Sequence, residues 1–425
     1  MKYTKKDLGS YNLHMIHTDK FRTITVKVLF RRKVIKEEIT IRNILTSLLV
    51  QSTKKYNSKR KLIIKAQDLY SAGLSVSNTR TGNYTNTEFS LNTLNDKYTE
   101  PGNFRKSLEL LSEMIFNPEV ENGKFSSEKL DIVISKARTN LTSLKENSSH
   151  YSIIRSLEAF DKNSPAAFRM DGYIEDLDNI NEENLYEYYL DMIHKDLVDI
   201  FIIGNFDEEE VINDIRSSFK LRILKKVKVP YRLEERKAKG RRLFAKETID
   251  NTQSKLSIVC TYSGLNEYEI NYVLPIYNVI FGGGSDSKLF KEVREKHSLC
   301  YTIHSNPKKF DNLLMIQTGI DKENYTKTLQ LIEKILVEMR KGKFETSDID
   351  IAKEYYETAY DEAEEDPNAL IDIYLMMDFL GSDDLDTKRE KMKGVTKSEI
   401  IKVAKKIKMD TVFILEGEKD EKARV

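Results

Sequence analysis

The feature that most restricts this fold is that the chain is written twice. Near the start, "TITVKVLF" and "EITI" read as strand material and lead into the apolar, helix-like run "NILTSLLVQS". After residue 250 the same order returns: "SKLSIVCTYSG" as a strand, then "NYVLPIYNVIFGGG" as an apolar helix. Each is followed by an amphipathic helix and a strand, "AQDLYSAGLSVSNT" with "TEFSLNTLN" in the first half and "FKEVREKHSLCYTIHS" with "NLLMIQTGID" in the second. "FRKSLELLSEMI" then pairs with "YTKTLQLIEKILVEM", and "KFSSEKLDIVISKA" with "KFETSDIDIAKEYY". Both halves close on a helix running into an apolar strand and a glycine, with Thr396 and Glu399 at capping-box spacing.

The offset is about 215 residues, far beyond a solenoid period. It predicts an α+β fold of two homologous repeats, each an antiparallel-rich sheet with helices packed on one face. The alternative is chance agreement between two ordinary α/β stretches. The repeats are placed at 1–220 and 246–425, with a basic linker at 221–245. Within it, "LRILKKVKVPYRLEERKAKGRR" holds ten basic residues against two acidic ones. It reads as a solvated linker, or else as a patch for an anionic partner.

Charge excludes some functions. The 69 basic and 68 acidic side chains leave a net charge of +1, too little for a protein defined by nucleic acid. The N-terminal residues lack the apolar core of a secretory signal, and no apolar run approaches a membrane span. Cys260 and Cys300 form no CxxC and suggest no disulfide framework. A cytoplasmic protein with no membrane partner is the expectation.

The segment "GGGSDSKLFKEVREKHSLCY", Gly282 to Tyr301, looks at first like a phosphate loop. It lacks the G-x-x-x-x-G-K-S/T spacing. Gly282, Gly283 and Gly284 are instead expected to form a structural loop between two helices, with Ser285 or Asp286 as cap. Among the six histidines, His14-x-x-His17 is the only close pair; with no acid in register, it reads as surface decoration. "DLDNIN" near Asp176 lacks the glycine and terminal Glu of a calcium loop.

A glycine-rich turn followed by S-x-x-L-F-x-x-V-R-E-x-x-x-L-x-Y, in the second of two α+β repeats, resembles the pitrilysin/insulysin-type metallopeptidases, or inverzincins. More narrowly, it resembles their small bacterial and mitochondrial-processing-peptidase-like branch. The resemblance spans nearly the whole chain, with support from "TKKYNSK" (Thr53 to Lys59). It implies that the two repeats form half of a clamshell. Active members carry H-x-x-E-H on the first helix, two histidines one turn apart on zinc with the Glu as general base. Aligned on "STKKY", that motif falls on Asn43 to Ser47, so Asn43, Thr46 and Ser47 stand where His, Glu and His belong. The distal ligand falls on Ser135, seven residues after Glu128. The resemblance therefore implies a chain without metal, not an enzyme on its own.

In the same family the R-E-x-x-x-L-x-Y segment reaches the peptide at the zinc of the opposite half. Its tyrosine can donate to the developing oxyanion and its arginine can hold a substrate carbonyl or carboxylate. Arg294 and Tyr301 match those positions. The bland alternatives are an Arg294 paired with a nearby acid and a core Tyr301 sharing a strand face with Leu299 and Ile303. The leading expectation is the inactive subunit of a heterodimeric zinc metallopeptidase. Its H-x-x-E-H partner would hold the zinc and its substrate would be a peptide. The nearest character is that of Firmicutes peptidase-like pairs associated with peptide maturation or elongation-factor-P modification. The other readings are a peptide-binding or structural scaffold of the same fold, and a peptidase with a relocated metal site.

Overall fold

The computed structural model describes residues 1–221 and 228–418; residues 222–227 of the basic linker, and 419–425, lie outside the described residues. The first repeat begins with β1 (Lys2–Asp7), β2 (Asn12–His17), β3 (Thr23–Lys33), α1 (Ile39–Leu49) and α2 (Lys59–Asp68). It continues through β4 (Gly73–Thr81), β5 (Tyr84–Leu94), α3 (Asn103–Phe116) and a small hairpin of β6 (Val120–Glu121) and β7 (Lys124–Phe125). Then come α4 (Ser127–Thr142), α5 (Ser148–Asp161), α6 (Glu182–Lys195), β8 (Leu197–Gly204) and α7 (Glu208–Ser218).

The second repeat has β9 (Leu243–Ile249), β10 (Ser254–Tyr262), α8 (Leu274–Gly282), β11 (Cys300–Lys308) and β12 (Leu313–Ile320). It closes with α9 (Tyr325–Arg340), α10 (Thr346–Glu364), α11 (Pro367–Leu380), α12 (Leu385–Lys393), α13 (Lys397–Lys406) and β13 (Ile407–Gly417). Two π-helical segments, Glu269–Val273 and Phe290–Lys296, flank α8. "EITI" is not a strand. Glu37 and Glu38 sit in a helical turn and Ile39 opens α1, as acids near a helix N-terminus favour.

The five strands of the second sheet repeat β2-β8-β3-β5-β4 of the first, and β1 adds a sixth strand at its edge. The first has the order β1-β2-β8-β3-β5-β4, the second β9-β13-β10-β12-β11. Even the parallel pair recurs, β2 with β8 and β9 with β13; among the described residues the other ladders of both sheets are antiparallel. Alternation explains the cores. Ile24, Val26, Val28 and Phe30 of β3 face α1 and α3, as Leu256, Ile258 and Cys260 of β10 face α8 and α9.

Each sheet also has a helix on its second face, an addition to the expected single layer. The chain divides into two compact units, and each includes a helix whose sequence neighbours lie in the other. Unit one is residues 1–142, 169–230 and 363–380, so it contains α11; unit two is 143–168, 231–362 and 381–425, so it contains α5. This explains why β8 is buried at every position, as a strand covered on both faces must be.

The second face of the first sheet is polar, and α11 meets it with charge. Lys5 Nζ lies 2.6 Å from Asp378, Lys27 Nζ donates to Asp372 at 3.0 Å, and the Arg31 guanidinium is 3.5 Å from the Phe379 ring centroid. On the second sheet, α5 uses Ser152 against Ser257 at 2.8 Å, while Tyr151 and Arg155 donate to Glu247 at 2.7 and 2.6 Å.

Asp199 is the buried centre of the first of these faces. Burial pushes its carboxyl pKa up. The hydrogen bond with His14, the Arg31 charge and the Asn12 amide outweigh that and hold it well below the usual carboxylate range. A depressed carboxylate contributes stability that is present above its unfolded pKa of about 3.9 and is lost as pH falls toward the folded value. Asp199→Asn should therefore lower stability by about 3–5 kcal/mol at neutral pH. It should also flatten the loss seen below about pH 4, as checked by urea denaturation across pH.

Candidate functional site

The site segment starts where α8 ends. A Cβ on Gly282 would lie 2.6 Å from Ser305 Oγ and 2.7 Å from Leu289 Cδ1, and one on Gly283 would lie 2.8 Å from Val279 Cα. Both are glycine because neighbours press against the backbone. Gly284 opens onto free space, so its part in the expected structural loop has no steric basis. The cap is neither Ser285 nor Asp286. Ser287 accepts from Phe290 N–H at 3.4 Å and donates to the Gly284 carbonyl at 2.6 Å.

The π-helical segment Phe290–Lys296 then presents Arg294. It ends at Ser298 in the left-handed region (φ 50°), with the Leu299 N–H donating back to the Val293 carbonyl at 3.1 Å. This stop delivers the chain into β11. Its pairing with β12 shifts register between Cys300 and Ile303, so Tyr301 and Thr302 are exposed in succession. A simple alternation would have turned Tyr301 inward beside Leu299 and Ile303. The bulge turns it out, and Tyr301 is 75% exposed.

Arg294 and Tyr301 meet. The guanidinium carbon is 5.2 Å from the Tyr301 ring centroid and 4.5 Å from that of Phe290. No carboxylate pairs with Arg294 among the described residues. The pair sets the donor fork of the half-buried Arg294 beside the hydroxyl of the exposed Tyr301.

The zinc-motif positions carry a different chemistry. Asn43 Nδ2 donates to the Met170 carbonyl at 2.7 Å, and the Thr46 hydroxyl donates to the Arg42 carbonyl at 3.0 Å. Asn78 of β4 bridges them, donating to Asn43 Oδ1 at 2.9 Å and Thr46 Oγ1 at 2.7 Å. The chain continues through Thr87 to the buried Arg42, whose Nε donates to Thr87 at 2.7 Å and whose Nη2 reaches Asp196 at 2.6 Å. Burial would lower the Arg42 pKa, but the Asp196 charge holds it above the ordinary value. Ser47 on α1 and Ser135 on α4 are exposed. An amide and three hydroxyls, two of the four engaged within the protein, are not zinc ligands, and the positions do not fit the metal.

His14 is not surface decoration. It is fully buried, stacked on Phe201 at 4.0 Å, and takes part in hydrogen bonds with Tyr3 at 2.8 Å and Asp199 at 3.2 Å. Its strand position places it on the sheet face under α11, which spacing to His17 could not reveal. His14, Asp199 and Asp378 bring ligand atoms within 4.8 Å of one another. Arg31 already pairs with Asp199 and Lys5 with Asp378, so this cluster is a neutralised ion-pair network.

Residues 179–356 match the family described as Peptidase M16 inactive domain. A Bacillus subtilis (strain 168) protein named probable inactive metalloprotease YmfF is 29% identical, over 97% of both chains. The crystal structure of a conserved protein from Enterococcus faecalis V583 superposes with a TM-score of 0.90 at 27% identity, covering 98% of this chain and 99% of that one. A peptidase M16 inactive domain from Pseudomonas fluorescens gives 0.79 at 15% identity over 99% of each, a likeness of fold. The chain is thus similar to the peptidase M16 inactive domain over residues 179–356 and to a probable inactive metalloprotease over nearly its whole length.

Two outcomes follow from this site. After purification without chelator, zinc should stay far below one ion per chain by elemental analysis. Arg42→Met should cost about 1–3 kcal/mol in urea unfolding because it leaves one oxygen of the buried Asp196, still held by Arg32, without its donor, whereas Ser135→Ala, on an exposed hydroxyl, should stay within about 0.5 kcal/mol.

Proposed function

We propose that this chain is the metal-free subunit of a heterodimeric zinc metallopeptidase. Its partner would carry H-x-x-E-H and the zinc, and together they would process peptides in the cytoplasm. The observation that carries this reading is the Arg294–Tyr301 pair: a half-buried guanidinium with no carboxylate partner among the described residues, stacked on an exposed phenol that a bulge has turned out of its sheet. In trans, the Tyr301 hydroxyl would donate to the oxyanion that develops on the scissile carbonyl. Arg294 would hold a substrate carbonyl or carboxylate. Among the described residues, no helix is long and apolar enough to cross a membrane.

The test is co-purification with an H-x-x-E-H homologue from the same cells, native mass spectrometry, and a peptide-cleavage assay of the complex. A one-to-one complex is expected. Tyr301→Phe should lower kcat by about 10²-fold, with an unchanged melting temperature because that side chain faces solvent, and Arg294→Ala should raise KM. Failure to form a heterodimer, or full activity in both variants, would overturn the proposal. Peptide binding without cleavage would then favour the scaffold reading.

A further inference from the structure

We propose that the cleft beside α9 docks an acidic amphipathic helix supplied by a partner protein. The argument is internal to the fold and does not depend on the Arg294–Tyr301 reading. Helices α3 and α9 hold the same place in the two repeats, and their buried positions coincide when Phe104 is set on Tyr325. Ser107, Leu111, Met114 and Ile115 then match Thr328, Ile332, Ile335 and Leu336, all buried.

The outer stripes differ. On α3, Leu108 and Ser112 are buried as well, because α7 lies against that helix. The Ser112 hydroxyl donates to the Ser218 carbonyl at 2.6 Å, Arg105 lies 3.8 Å from Asp214, and Phe116 meets Phe219 edge-on at 5.4 Å. The matching stripe on α9 is Leu329, Glu333 and Val337. Leu329 is only partly buried and Val337 is 40% exposed. Beside Glu333 and Val337 lies an open cleft of about 520 Å³.

The charge of the cleft names the occupant. Arg242, Arg340, Lys405 and Lys408 line it against a single acid, Glu333. Glu333 is already held by Arg242, and Arg340 has given one donor to the Ile407 carbonyl at 2.8 Å. Lys405 and Lys408 have no carboxylate partner among the described residues. Arg340 and Lys405 close helices, where a cation has a local reason, but Lys408 on β13 does not. An apolar stripe rimmed by unneutralised cations complements a helix with apolar residues on one side and acids beside them. The segment that covers the equivalent stripe has that character: α7 begins Asp207-Glu208-Glu209-Glu210 and buries Val211, Ile212 and Ile215.

The probe is a labelled peptide of residues 207–219, DEEEVINDIRSSF, titrated against the full chain by fluorescence anisotropy at low salt. Saturable binding is expected, weakened at least tenfold by Lys405→Glu with Lys408→Glu and by Val337→Asp, with unaltered circular dichroism. A peptide with its acids replaced by lysine should not bind. Lack of saturable binding up to about 1 mM, or equal affinity in the variants, would overturn the proposal. So would sedimentation showing a dimer of this chain that the same substitutions dissociate.

Discussion

Neither sheet of this protein can leave its second face in water, and that constraint organises everything else. On the first sheet, strands β3 and β8 place Lys27, Arg31, Asp199 and Phe201 opposite the main core. A charged face of this kind, buried without partners, would cost several kcal/mol per ion. Helix α11 answers it with Asp372, Asp378 and Phe379 set over Lys27, Lys5 and Arg31. The second sheet makes the same demand and α5 answers with hydroxyls and an Arg155–Glu247 pair. Each compact unit thus depends on a helix from the other half of the sequence, and the repeat folds as an exchange.

The loss of zinc ligands has left no hole. Where a metal would gather charged side chains, Asn43, Thr46, Asn78 and Thr87 form a hydrogen-bonded ladder anchored on the Arg42–Asp196 pair. Every member is satisfied by another, which is the condition under which a buried polar network is stable. Catalytic chemistry of the zinc kind has no donor set there. In the second repeat, the half-buried Arg294 stacks on the exposed ring of Tyr301.

Much of this was legible in the sequence. The repeat and the α+β class rest on local signals: period-two and period-three-to-four apolar patterns, and fixed spacings. The failures have one cause. "EITI" was read from four residues, too few to separate a strand from the first turn of a helix. Ser287, not Ser285 or Asp286, caps the site helix, because the chain needs two more residues to clear Ser305 and Val279. Arg42 was the overlooked signal, a lone cation inside the apolar run of α1. His14 gave none, because its partners Asp199 and Asp378 lie far along the chain.

What the sequence determined by itself was therefore the set of elements and their twofold order. Side-chain chemistry and periodicity are properties of a few neighbouring residues, and they are readable there. Only the tertiary structure decided that Tyr301 points outward, since a register shift between β11 and β12 depends on both strands at once. It alone decided which helix covers which sheet, and that Val337 on α9 stays exposed where Phe116 on α3 packs against Phe219. Those outcomes depend on contacts between residues distant in sequence, and no local pattern encodes them.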